Sequence, residues 1–141
     1  MIKFEVLGQC FGKGRPRFKK VGNFVQTYSD TKTTNYENLV KLSYINSGCE
    51  PYLNGEALTC EMIVYYPIPK STSKKKAIDM LNHKIFPTKK PDIDNVVKSI
   101  LDALNKVAFT DDTQVVELHC YKFYGSEPKV EVTIKEIDYD K

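Results

Sequence analysis

No stretch of this chain approaches the ~20 consecutive apolar residues that a helix needs to cross a bilayer. Its start, MIKFEVLGQ, has neither an apolar leader core nor a small-residue cleavage site. The expectation is a cytoplasmic, unprocessed protein with no membrane contact. The sequence has no G-x-S-x-G elbow, no glycine-rich phosphate loop ending in GK[ST], and no H-E-x-x-H. Those absences argue against a serine hydrolase, a P-loop nucleotidase and a zinc peptidase, and no small-molecule cofactor is expected. The four cysteines, Cys10, Cys49, Cys60 and Cys120, form no C-x-x-C and no zinc-spaced pair with a histidine. They read as buried free thiols packing as small hydrophobes. His83 and His119 stand alone in the sequence and read as ordinary surface or strand residues. Internal repeats and low-complexity linkers are also missing.

What is present is a charge pattern. The 141 residues carry a net charge of only +3. Residues 11–20 hold five positive charges and no acid, and residues 70–90 hold seven lysines against the single Asp79. The rest of the chain is therefore left with −8. Two basic segments beside an acidic remainder point to a polyanionic partner more strongly than the total does. The plainer alternative is that these lysines only solvate surface loops.

Periodicity gives a coarse plan. Ile2, Phe4 and Val6 alternate, so residues 2–8 read as a strand. The segment from Phe11 to Ser29 reads as a hairpin with Gly22-Asn23 near its turn. Asp30 or Thr31 is placed to cap a helix running to about Ser47, stopped by Gly48 and Pro51. Residues 58–66 alternate as a strand ended by Pro67 and Pro69. A short lysine-rich helix over 72–82 and a loop over 83–91 follow. The clearest helix spans 94–108, with Val96, Val97, Ile100, Leu101 and Leu104 on one side and Asp94, Asn95, Lys98, Asp102 and Asn105 on the other. Strands over 114–124 and 129–137 complete the chain. This order predicts a single α+β domain over 1–141, with helices packed on a mixed sheet.

Chemistry concentrates in residues 89–118. Asp92 and Asp94 bracket the start of the main helix, and Asp111 and Asp112 follow its end. About 15 helical residues span ~22 Å, so the two acid pairs meet only if the chain folds back or a second subunit brings its own copy. The structural alternatives are helix capping for Asp92 and Asp94, a turn for Asp111-Asp112, and an ion pair with Asp94 for Lys98, while Asp102 is open to pairing with Lys98 or Lys106. The functional reading is a hard-cation site, since magnesium takes a few carboxylates plus waters and phosphate. Lys98, one turn after Asp94, would steady charge on a phosphate or position water. Lys84, Lys89 and Lys90 would hold a DNA backbone, and Arg15 and Arg17 could fork onto phosphates. Phe18 and Phe24 read as core residues, with stacking on the bound DNA as the alternative.

The stretch PDIDNVVKSILDALN (91–105) followed by F-x-D-D-x-Q-V-V (109–116) resembles the RusA family of Holliday-junction resolvases. GKGRPRF (12–18) and TYSDTKT-x-NY (27–36) are similar to phage-type members. The resemblance implies a RusA-like homodimer that binds four-way branched DNA and nicks it symmetrically with Mg2+, or Mn2+, in a phage-like recombination setting. It implies Asp92, Asp94 and Asp112 as metal-binding acids, with Asp111 the ambiguous neighbour, and Lys98 as the catalytic lysine. It places the segment carrying Lys13, Arg15, Arg17 and Lys19 on the DNA-facing side, as charge does for Lys89 and Lys90. Two departures from the family pattern are a longer, more lysine-rich segment between Pro67 and Pro91 and an approach to Asp111 shorter by one residue. The alternatives are a non-catalytic branched-DNA-binding module, a metal-dependent nuclease of flaps or single strands, and a phage assembly protein.

Overall fold

Alternation in the first strand is realised directly: Ile2, Phe4 and Val6 of β1 (Ile2–Leu7) are buried and the residues between them exposed. A computed structural model describes residues 1–13, 17–28 and 31–138, with the side chains of 17–19, 21 and 24–28 outside the description. The remaining elements are β2 (Arg17–Val21), β3 (Phe24–Tyr28), α1 (Thr31–Asn46), β4 (Leu58–Pro67), α2 (Lys74–Leu81), α3 (Ile93–Leu104), β5 (Val115–Gly125) and β6 (Lys129–Glu136). A 3-10 turn, Asp112–Gln114, leads into β5.

β1, β6, β4 and β5 form one sheet in that order. β6 runs antiparallel to both β1 and β4, whereas β5 runs parallel to β4. The sheet is therefore mixed, as the sequence led one to expect. β5 is a free edge. The hairpin β2–β3 stands apart as a two-stranded ribbon. Its turn has Gly22 at φ 60°, the left-handed conformation that tight two-residue turns demand.

One face of the sheet is covered. Cys60, Met62, Val64 and Tyr66 of β4 are all within 1 % of full burial, beneath the apolar side of α3. That side consists of Val96, Ile100, Ala103 and Leu104, each fully buried. α1 packs on α3 and β1 through Tyr36, Val40 and Tyr44. On the other face of β4 lie Glu61, Ile63 and Tyr65, which keep more contact with water.

Two expectations need adjustment. The main helix ends at Leu104 rather than at residue 108. Asn105 leaves helical geometry with ψ 128°, and Lys106 adopts a positive φ of 63°. Val107 and Ala108 then donate to the Leu104 carbonyl at 3.0 and 2.9 Å, which reverses the chain. Of the four free cysteines, only Cys10 and Cys60 are buried. No helix among the described residues is long and apolar enough to cross a membrane.

Thiol chemistry reports this arrangement. Burial pushes the Cys60 thiol up to about 12, and burial also dominates at Cys120, raised to about 11. At Cys49 a hydrogen bond with Ser47 pulls the thiol below its ordinary value. A disulfide reagent at neutral pH should therefore modify Cys49 first, because the thiolate is the nucleophile. Cys10 and Cys60 should react only on unfolding, and Cys49→Ser should abolish the fast phase. A fast phase surviving that substitution would contradict the burial pattern.

Candidate active site

The start of α3 is pinned from below. The hydroxyl of Tyr66, itself 1 % exposed, donates to the Pro91 carbonyl at 2.8 Å. From the N-terminal side, the Lys13 N–H donates to the Asn95 carbonyl at 3.0 Å. Gly12 makes that approach possible: a Cβ there would stand 2.9 Å from both Asn95 Cβ and Pro91 Cβ. Such contacts are far inside normal packing distance, so the glycine in this motif is a matter of space.

Asp92 occupies the N-cap of α3, yet its carboxylate makes no cap hydrogen bond. Capping therefore does not account for it. Asp92 opens to a depression of about 540 Å3 shared with Gln9, Lys13, Lys90 and Asn95. Asp94, two residues on, faces elsewhere. With Lys98, Asp102 and Asp112 it lines a cleft of about 510 Å3 along the polar side of α3, closed by apolar atoms of Ile93, Leu101 and Leu118. The acid pair is thus split between two sides of the helix start.

The chain itself folds back to bring Asp112 to this cleft. After the reversal at Asn105, the Asn105 Oδ1 accepts the N–H of Asp112 at 3.2 Å. Asp111 turns away to cap the 3-10 turn, where its carboxylate accepts from the Thr113 N–H and its own N–H donates to Gln114 Oε1, each at 3.0 Å. Gln114 is in turn tied to the Glu56 carbonyl at 3.1 Å. The capping alternative thus describes Asp111 and leaves Asp112 as the member that faces the cleft.

Lys98 pairs with Asp102 at 3.3 Å, not with Asp94. The same Asp102 oxygen takes Lys13 at 3.4 Å, and Lys13 also pairs with Glu37 of α1. Asp102 is the site residue that sequence reasoning passed over as a mere ion-pair partner. Its signal was the spacing 94, 98, 102, which stacks three charged groups on one helix face. Lys89 and Lys122 lie over the Tyr66 ring at 6.0 and 5.2 Å, and Lys122 donates to the Lys89 carbonyl at 2.7 Å. Lys90 is exposed beside Asp92. Arg15 and Asp30 lie outside the described residues, as do the side chains of Arg17, Phe18, Lys19 and Phe24.

The electrostatics follow from this crowding. Burial raises the Asp112 carboxyl above its ordinary value, and the neighbouring Asp111 and Asp102 add to the rise. Asp111 is held below the usual range by its hydrogen bond from the Thr113 backbone. At Lys13 burial opposes the charged form, but the hydrogen bond and charge of Glu37, with those of Asp102, outweigh it and raise the pKa. The all-oxygen donor set suits a hard cation. Among the described residues, however, no three such side chains stand close enough together to hold one ion.

The comparisons agree with the residue pattern. The family model described as Endodeoxyribonuclease RusA matches residues 8–135. The chain is 39 % identical over 138 residues to the uncharacterized protein YqaN of Bacillus subtilis (strain 168), covering 96 % of both chains. It is 28 % identical over 120 residues, 84 % of both chains, to the crossover junction endodeoxyribonuclease rusA of Lactococcus phage r1t.

Two outcomes follow. A carboxyl whose folded pKa is raised stabilises the fold only below its unfolded value, and that contribution is lost as pH rises through the folded value. Asp112→Asn should therefore raise the Tm of metal-free protein at pH 7, with the difference disappearing under acid; a lower Tm at pH 7 would mean that the charge is needed for folding. Lys13→Met should cost about 1–3 kcal/mol by stranding two partly buried carboxylates. Because those acids already neutralise Lys13, the salt slope of DNA binding should stay unchanged, whereas loss of a true phosphate contact would reduce it by about one.

Proposed function

The chain belongs to the RusA endodeoxyribonuclease family, and from that we propose that it resolves Holliday junctions by metal-dependent hydrolysis of paired phosphodiesters. The observation that carries this reading is the one cleft that Asp94, Lys98 and Asp112 line together. These are residues of the motif that the family resemblance singles out.

On this reading Asp94 and Asp112 hold a magnesium-class ion, with Asp92 the third acid of the motif. Magnesium commonly takes only one or two carboxylates and completes its shell with waters and phosphate oxygens, so a sparse donor set fits. Bound there, the ion would polarise the scissile phosphate and lower the pKa of an attacking water. Lys98 does the work that belongs to the chain: its ammonium, oriented by Asp102, stabilises charge developing on the phosphate. The Asp112 carboxyl, raised first by burial and then by Asp111 and Asp102, fits the same assignment, because a neighbouring cation would favour its charged form.

The active form is proposed to be a homodimer, since two like cuts in one four-way branched substrate call for two equivalent sites. The apolar atoms around the cleft supply a face for it. Ile93 and Leu118, both in the cleft lining, are each 43 % exposed, and Val116, two residues before Leu118 in sequence, is 61 % exposed. A second copy lying there would remove apolar surface from water. It would also bring more carboxylates to a site that one chain leaves sparse.

Cleavage of a synthetic four-way junction tests the proposal, with linear duplex and a flap as controls. Wild type with magnesium should give paired symmetric nicks in the junction, and chelator should abolish them. Asp94→Asn, Asp112→Asn and Lys98→Ala should each reduce kcat by about 100-fold or more while junction binding persists. Asp92→Asn asks whether the acid on the other side of the helix start belongs to the same set. Tight binding without cutting in any lane would identify a branched-DNA-binding module. Equal cutting of all three substrates would identify a nuclease of broader taste.

A further inference from the structure

The reaction proposed above leaves one group of side chains unused, where α2 meets β5, on the sheet face opposite α3. His83 lies flat on Phe123, with 3.9 Å between ring centres and 3° between planes. Tyr121 lies beside Phe123 at 5.9 Å and 10°. Phe86 approaches the same ring at 6.2 Å. These rings are not core: Phe86 is 51 % and Tyr121 43 % exposed, and His83 is exposed as well. The aromatic pairs that pack against the core are edge-to-face instead, Phe4 with Tyr44 at 67° and Phe11 with Tyr36 at 70°. Near-parallel rings left in water gain little from burial. They do offer flat faces.

The backbone holds this group in place at some cost. His83 has φ 59°, in the left-handed region that side chains rarely adopt. It closes α2, where the N–H of Lys84 donates to the Asp79 carbonyl at 2.8 Å. Cations surround the α2 side. Lys74, Lys75, Lys76 and Lys84 are exposed, and none has an ion-pair partner among the described residues. On the far side, Lys129 lies over the Tyr65 ring at 5.7 Å but is already neutralised by Glu5 and Glu131. Unpaired positive charge and open aromatic faces therefore share one flank of the molecule.

We propose that His83, Phe86, Tyr121 and Phe123 form a stacking platform for unpaired DNA bases, with the α2 lysines and Lys84 holding the phosphates. Lysines alone would serve duplex DNA. The rings discriminate, because paired bases are already stacked and present no free face, whereas a single strand stacks on aromatic side chains irrespective of sequence. The inference rests on the DNA-nuclease reading and adds to it a substrate feature: unpaired nucleotides next to the branch. The edge position of β5 fits, since Cys120 lines the catalytic cleft and the adjacent Tyr121 belongs to the platform. A strand passing round this edge would meet both.

The chain contains no tryptophan, so Tyr121→Trp introduces a single indole reporter into the platform. With chelator present to prevent cutting, the protein is titrated with a short oligothymidylate, a fully paired hairpin, and the same hairpin bearing an unpaired flap. The expected result is saturable quenching by the oligothymidylate and the flap, and none by the paired hairpin. In the same background Phe86→Ala should weaken oligothymidylate binding between about 5-fold and 150-fold with no change in salt slope. Lys84→Gln should lower the slope itself. Equal quenching by the paired hairpin, no quenching at all, or unchanged affinity in Phe86→Ala would overturn the platform. So would an indole emission that shifts with protein concentration in the absence of DNA, which would assign the surface to a second copy of the chain. Junction cleavage by wild type is scored separately: cutting with a silent reporter sinks the platform alone, and a responding reporter on a protein that cuts nothing sinks the nuclease reading alone.

Discussion

Tyr66 sits at the end of β4 with its hydroxyl inside the fold, and a buried hydroxyl must find an acceptor. It finds the Pro91 carbonyl. That bond fixes where the polypeptide enters α3, and with it the positions of Asp92 and Asp94. Gly12 and Lys13 close over the same point from the other side. The helix then has no freedom left in its seating, because Val96, Ile100, Ala103 and Leu104 are wholly buried against the sheet. The polar side of α3 is thereby aimed outward with its charged groups in fixed order. Without the tether at its start, the same amphipathic helix could slide by a turn on an apolar surface at modest energetic cost, and the acids would lose their reference frame.

At its other end α3 is defined by a side chain rather than by apolar packing. Asn105 stops the helix and receives the N–H of Asp112. The return of Asp112 is costly: it enters a half-buried place where Asp111 and Asp102 oppose its charge. A fold selected for stability alone would not place a third carboxyl there. Lys98 and Lys13 offset part of that cost through Asp102. The ion-pair chain from Glu37 through Lys13 and Asp102 to Lys98 links α1, the entry segment and α3. The orientation of Lys98 thus depends on packing well outside the cleft.

Most of the element order was legible because it rests on strong local signals: alternation in β1 and β4, the Gly22-Asn23 turn, and the apolar side of α3. The end of α3 was not. Val107 and Ala108 continue the helical spacing, and only the side chain of Asn105 and the positive φ of Lys106 reveal the reversal. The fold-back, one of two open possibilities, brings Asp112 to the cleft that Asp94 lines, while Asp92 and Asp111 are not part of that lining. Periodicity was equally silent on which way each acid faces. Asp92 and Asp94 look like a pair in sequence, but adjacent helix-start positions diverge by the angle of two residues, so one opens beside Lys90 and the other beside Lys98. The demotion of Asp111 to a cap depended on Gln114, a partner that no local pattern distinguishes from a strand residue.

On the proposed reading, the charge map would divide binding and chemistry between different parts of the chain. A cleft lined by Asp94, Asp102 and Asp112 repels phosphate when no cation is present, and at short range in a half-dry site that repulsion exceeds what exposed lysines recover singly. On that reading, DNA would be captured outside the cleft, by the basic segments. By sequence, residues 11–20 carry +5 and residues 70–90 carry +6 against −8 elsewhere, although Lys13 is already paired with Glu37 and Asp102. The lysines of these segments gain most from counterion release when many act together, which favours long, solvated, flexible side chains over buried ones. The acids gain most from fixed geometry, which favours a helix sealed onto a sheet. A single amphipathic surface could not meet both demands. In this fold they fall on opposite sides of one edge strand, with the rigid acidic cleft toward α3 and the exposed lysines and rings toward α2.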